Sequence, residues 1–98
     1  MDDIRTDDVN DLLAVLSRMD DPDKVFALLE DLFTVREIRE TSQRLQVARM
    51  LSSGMSYSAI EESTGASATT IARVSKCLNY GSGGYAFALE LLESESTN

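Results

Sequence analysis

A chain of 98 residues with 43% hydrophobic and 27% charged side chains has the composition of a folded domain, with material for one core and not two. No histidine and a single cysteine exclude an intrachain disulfide, a zinc site of the usual kind and any catalytic triad built on imidazole. The net charge of −8 disfavours a polyanionic partner unless the charge is unevenly spread.

It is uneven. Residues 1–33 hold ten acids and three bases, 34–65 hold four of each, 66–80 hold only Arg73 and Lys76, and 81–98 hold three acids. The acidic first third reads as a solvated face. Met1 to Thr6 is acidic and precedes no long apolar run, which fits neither a signal peptide nor a membrane span, so a cytoplasmic protein is expected. The acidic ends, 1–7 and 94–98, are expected to be flexible, and 1–98 a single helical domain.

Val9, Leu12, Leu13, Leu16 and Met19 recur at helical spacing until Asp20-Asp21-Pro22 breaks the run. Asp21 before Pro22 predicts a capped second helix from Pro22 to Phe33, with Val25, Phe26, Leu28, Leu29 and Leu32 on its apolar face. Thr34 and Glu37 have the spacing of a capping box and open a long third helix. This helix carries Ile38, Leu45, Ala48 and Leu51 on one face, places Arg36, Arg39, Arg44 and Arg49 elsewhere, and ends at Ser52-Ser53-Gly54. Two short helices follow: Tyr57 to Ser63, stopped by Gly65, and Ala68 to Asn79, capped by Ser67. After the break at Gly81-Ser82-Gly83-Gly84, Tyr85 to Leu92 forms a last short helix. No strand-like alternation and no internal repeat occur, so the fold class is all-α with about six helices. So many short amphipathic helices in so small a chain favour a core completed by a second subunit.

Tyr57 to Asn79 has the parts of a helix-turn-helix: a short positioning helix, a glycine at the turn, and a second helix with a small, polar outer face. Ile60, Ala66, Ile71, Val74 and Leu78 fall where the pair must pack. Ser67, Ala68, Thr69, Thr70, Ala72, Arg73 and Lys76 are left to face outward. Small side chains let the backbone approach base edges, methyls can touch a thymine methyl, and Arg73 and Lys76 can meet phosphate or guanine. The same spacing fits an ordinary helical hairpin.

Met55 to Asn79, MSYSAIEESTGASATTIARVSKCLN, resembles the helix-turn-helix of the tryptophan repressor family, with Gly-Ala at the turn and an Ala-Thr-Ile-x-Arg type of reading helix. Thr34 and QRLQVARMLSSG, Gln43 to Gly54, resemble that family's third helix, and CLNYGSGGYAFALE, Cys77 to Glu90, is similar to the YerC/YecD subgroup, so the resemblance covers about residues 9 to 92. It implies an intertwined helical homodimer that sets one reading helix per subunit into a palindromic operator on double-stranded DNA. It also implies a transcription regulator, in the repressor mode, and not an enzyme. Thr34, Arg44 and Arg73 match the positions that hold the corepressor in the family.

Two positions depart from the family's pattern. Val74 stands where the family has the glycine that makes room for an indole ring, and Cys77 where it has serine. Val74 argues against tryptophan as the effector and leaves open another small anion held by Arg44 and Arg73, or binding with no effector. Ser58 and Glu61 replace basic residues that serve DNA contacts in the family, so the operator does not carry over. No cofactor and no metal are expected. A helical interaction module that binds another protein is the rival reading, which the acidic first third would suit.

Several residues invite roles they do not need. Cys77 reads as a small half-buried hydrophobe. Gly81, Gly83 and Gly84 follow no strand and precede no lysine, which removes a phosphate-cradling loop. Tyr80 and Tyr85 read as packing at a dimer edge.

Overall fold

The structure, a computed structural model, describes residues 4–96. Six helices occupy them: α1 Asp7–Arg18, α2 Pro22–Leu32, α3 Val35–Ser52, α4 Tyr57–Thr64, α5 Ala68–Tyr80 and α6 Gly84–Ser96. No strand occurs among the described residues. Of the ends expected to be flexible, residues 1–3 and 97–98 lie outside those described.

Local chemistry sets most of the boundaries. α1 starts two residues before its first apolar position because the Thr6 hydroxyl accepts from the Val9 N–H at 3.3 Å and Asp7 and Asp8 sit on the positive end of the helix. The Asp21 carboxylate accepts from the Asp23 N–H at 2.9 Å, with Pro22 at the first helical position. Both halves of the capping box form: the Glu37 N–H donates to the Thr34 hydroxyl at 3.1 Å, and the Thr34 N–H donates to the Glu37 carboxylate at 2.9 Å. α6 runs to Ser96, four residues past the expected end at Leu92, because Glu93, Ser94 and Glu95 contain no glycine or proline to stop it.

The chain forms two compact units, residues 1–38 and 39–98, with the boundary inside α3. In the first unit no residue of α1 or α2 is fully buried. Leu12, Leu16, Val25, Leu28 and Leu29 are half-buried, whereas Leu13, Val15, Phe26, Leu32 and Phe33 are exposed. The apolar stripes that make these segments helical are thus only partly covered within one chain.

The second unit holds the core: Val47 and Ala48 from α3, Ile60 from α4, Ala66 from the turn, and Ile71 and Val74 from α5, with Met50, Leu51, Tyr85 and Leu89 packed against it. Ile60, Val47 and Ile71 are fully buried and Val74 nearly so. Val47 was not on the apolar face expected for α3. Ala48 and Leu51 of the expected face do join the core, and Val47, next to Ala48, widens the packed face. With so few residues in the core, each is costly to lose. Ile71→Ala should destabilise the protein by about 2–5 kcal/mol through lost transfer energy and the cavity left behind, read as a fall in the urea midpoint at unchanged slope.

Candidate nucleic-acid interface

α4, the turn Gly65-Ala66-Ser67 and α5 form the frame anticipated from Tyr57 to Asn79. α4 is capped by Ser56, whose hydroxyl accepts from the Ala59 N–H at 3.2 Å, and ends on Gly65 at φ 77°, ψ 2°. That left-handed conformation lets the Gly65 N–H close on the Glu61 carbonyl at 2.8 Å while the chain reverses toward α5. A Cβ at Gly65 would meet nothing within 4 Å, so backbone strain alone opposes a side chain. Gly65→Ala should therefore cost about 1–2 kcal/mol, and Gly65→Asn less, which thermal melting of the two variants would separate.

The two helices close on the core through Ile60, Ala66, Ile71 and Val74, as the spacing predicts, with Leu78 half-buried. The Ser67 hydroxyl accepts from the Thr70 N–H at 3.2 Å, capping α5, and lies 3.1 Å from the Thr70 hydroxyl. Thr70 is half-buried, so of the seven residues expected to face outward it is the least available, and the Ser67 hydroxyl is engaged by the cap. Ala68, Thr69, Ala72, Arg73 and Lys76 are exposed along the outer face of α5. No acid lies on this helix. Cys77, expected to be half-buried, is exposed: it stands about 60° around the helix from Val74, at the edge of the packed face. At the end of α5 a Cβ on Gly81 would collide with the Cys77 carbonyl oxygen, which is why the exit from the reading helix carries glycine.

A family model described as Trp repressor protein matches residues 7–93. The chain belongs to the Trp repressor family. It is 39% identical over 97 residues to the uncharacterized protein YerC of Bacillus subtilis (strain 168), covering 99% of this chain and 93% of that one. Among solved structures it is similar to a TrpR-like protein from Eubacterium eligens ATCC 27750, with TM-score 0.89 and 39% identity over 95% of this chain and 96% of that one. It is also similar to a protein from Staphylococcus aureus provisionally assigned as a Trp repressor, with TM-score 0.85 and 34% identity over 90% and 88% of the two chains. The all-α fold with a Trp repressor frame is thereby established, and DNA-binding regulation is the function of the family.

Within that frame the residues matched to the family's corepressor positions are distributed over both units. Thr34 lies in the first, exposed, with its hydroxyl accepting from the Glu37 N–H. Arg44 lies in the second on α3, half-buried, donating to the Thr41 hydroxyl at 3.4 Å. Arg73 is exposed on α5. Val74 is 1% exposed and belongs to the core. Ser58, Glu61 and Glu62 are exposed on α4. Among the described residues no group of three or more His, Cys, Asp or Glu could hold a metal ion, and no helix is long and apolar enough to cross a membrane.

One residue of the site carried no signal in the sequence. Gln43 on α3 donates its side-chain amide to the Thr64 carbonyl at 3.0 Å. Only the folded arrangement brings together residues that are 21 apart in the chain.

Proposed function

We propose that the protein is a cytoplasmic, sequence-specific DNA-binding transcription regulator of the repressor kind, acting as a homodimer that sets α5 of each subunit into the major groove of a palindromic operator. The observation that carries this reading is the face of α5. It is exposed, free of acid and set with small residues and two cations, on a frame held by Ile60, Ile71 and Val74. Ala68, Thr69 and Ala72 would lie against base edges, with Arg73 and Lys76 reaching guanine or phosphate. Ser67 and Thr70 would act through their methylene and methyl groups and through the cap that fixes the start of the helix.

The homodimer is supported by the exposed apolar residues Leu13, Phe26, Leu32 and Phe33 in the first unit and Phe87 and Leu91 on α6. Buried Val74 supports DNA binding that does not depend on tryptophan; an effector held by Arg44 and Arg73 would be another small anion. Exposed Glu61 and Glu62 would oppose phosphate, so affinity should be modest.

Selection of bound duplexes from a random library at fixed salt, with and without added metabolites, tests the reading. A palindrome with half-sites about one helical turn apart is expected. Recovery of no enriched sequence would transfer the frame to a protein partner instead.

A further inference from the structure

We propose that Gln43 is a positioning residue for the reading helix, tying the turn of the helix-turn-helix to the long helix α3; the inference rests on the DNA-binding reading above. The last four carbonyls of a helix have no partner inside it, and Thr64 is the last residue of α4. Its carbonyl accepts from the Gln43 side-chain amide at 3.0 Å in a partly buried setting. An amide N–H is the half of the glutamine side chain that a carbonyl can engage, so the orientation of the group is fixed by its partner.

Thr64 then passes this anchor forward. Its hydroxyl donates to the Ile60 carbonyl at 2.7 Å and accepts from the Ala66 N–H at 3.1 Å. Ala66 is buried in the core, and the next residue, Ser67, caps α5. A short series of bonds thus runs from α3 through both polar groups of Thr64 to the first turn of the reading helix. Gln43 also lies one helical turn before Val47, so the polar tie and the apolar contact of α3 share one face. The core fixes how deeply the head packs. It does not by itself fix rotation about the packed face, because dispersion contacts are not directional. The Gln43 bond supplies that direction at the turn.

Gln43 carries no charge, so its role separates from that of a phosphate-binding residue. The test compares wild type with Gln43→Met, which keeps the length and removes the donor, Gln43→Glu, which keeps the shape and offers only acceptors, and Gln43→Lys, which restores a donor of similar reach. Binding is measured to the duplex chosen by selection and to a scrambled one over a salt series, with amide exchange at Gly65, Ala66 and Ser67 alongside. For Gln43→Met and Gln43→Glu the preference for the selected duplex should fall about tenfold, the loss of one neutral hydrogen bond per head, while binding to the scrambled duplex and the salt slope of Gln43→Met hold. Exchange in the turn should quicken in both and return toward wild type in Gln43→Lys. A preference within twofold of wild type in Gln43→Met, or equal loss on both duplexes, overturns the proposal. If wild type selects no duplex, the DNA reading fails, and exchange at the turn still decides the tie: unchanged exchange in Gln43→Met and Gln43→Glu overturns it.

Discussion

The double variant Arg73→Ala, Lys76→Ala should lose about a thousandfold in operator affinity at physiological salt and keep its melting temperature within a few degrees. Both side chains are exposed on α5, so their removal leaves the core of Val47, Ile60, Ile71 and Val74 untouched. The proposed homodimer would lose four cations at once. At about 1 kcal/mol for each contact to phosphate or guanine, the lower end of what such pairs contribute, the loss reaches about 4 kcal/mol, or three decades. The slope of log K against log salt should also fall by about 0.9 for each phosphate contact removed, up to about 3.5 for the dimer. Fluorescence anisotropy over a salt series reads both quantities. The net charge of −8 sharpens this expectation, because α5 holds no acid and Arg73 and Lys76 are its only charged residues. Full affinity in the double variant would remove α5 from the interface.

Phe26→Glu should convert the protein from dimer to monomer at micromolar concentration and abolish operator binding with it. In one chain Phe26 is 52% exposed, and a polar residue at such a surface site ordinarily changes stability by no more than about 0.5 kcal/mol. A large effect therefore reports on something absent from the single chain. In a dimer that covers this face the carboxylate would be taken out of water without a partner, at a cost of several kcal/mol. Light scattering should give the mass of one chain in place of two. A mutant that stays dimeric with wild-type melting would place the subunit contact elsewhere and leave the exposed side chains of α2 in need of another cover.

The features that the sequence made legible are those decided within a few residues. Asp21 before Pro22, the Thr34 and Glu37 box, Ser67 and Gly65 each act on backbone one to four positions away, and each sits as the local pattern predicts. What stayed hidden depends on a second element. Val47 lies beside the expected face of α3, and its burial together with Ala48 follows from how α4 and α5 pack. Gln43 looked like one more polar residue of α3 because its partner, the Thr64 carbonyl, is a backbone atom with no identity in the sequence. Cys77 was misplaced because it stands at the edge of the packed face, where one helical step decides between half-burial and exposure. The outer residues of α5 are legible as a group, yet Thr70 is half-buried because it lies one helical turn before Val74, at the edge of the packed face.

The core of the second unit has a consequence for the life of the chain before it meets DNA. Its buried residues run from Val47 to Val74 on consecutive helices, so no contact among them spans more than 27 residues. Contacts of that kind form in microseconds to milliseconds. The helices of the first unit, with no residue fully buried, would complete their burial in the proposed homodimer, on an encounter whose rate rises with protein concentration. Synthesis would thus yield a reading head early and a paired molecule late, and the abundance of the protein would set how quickly new chains become competent.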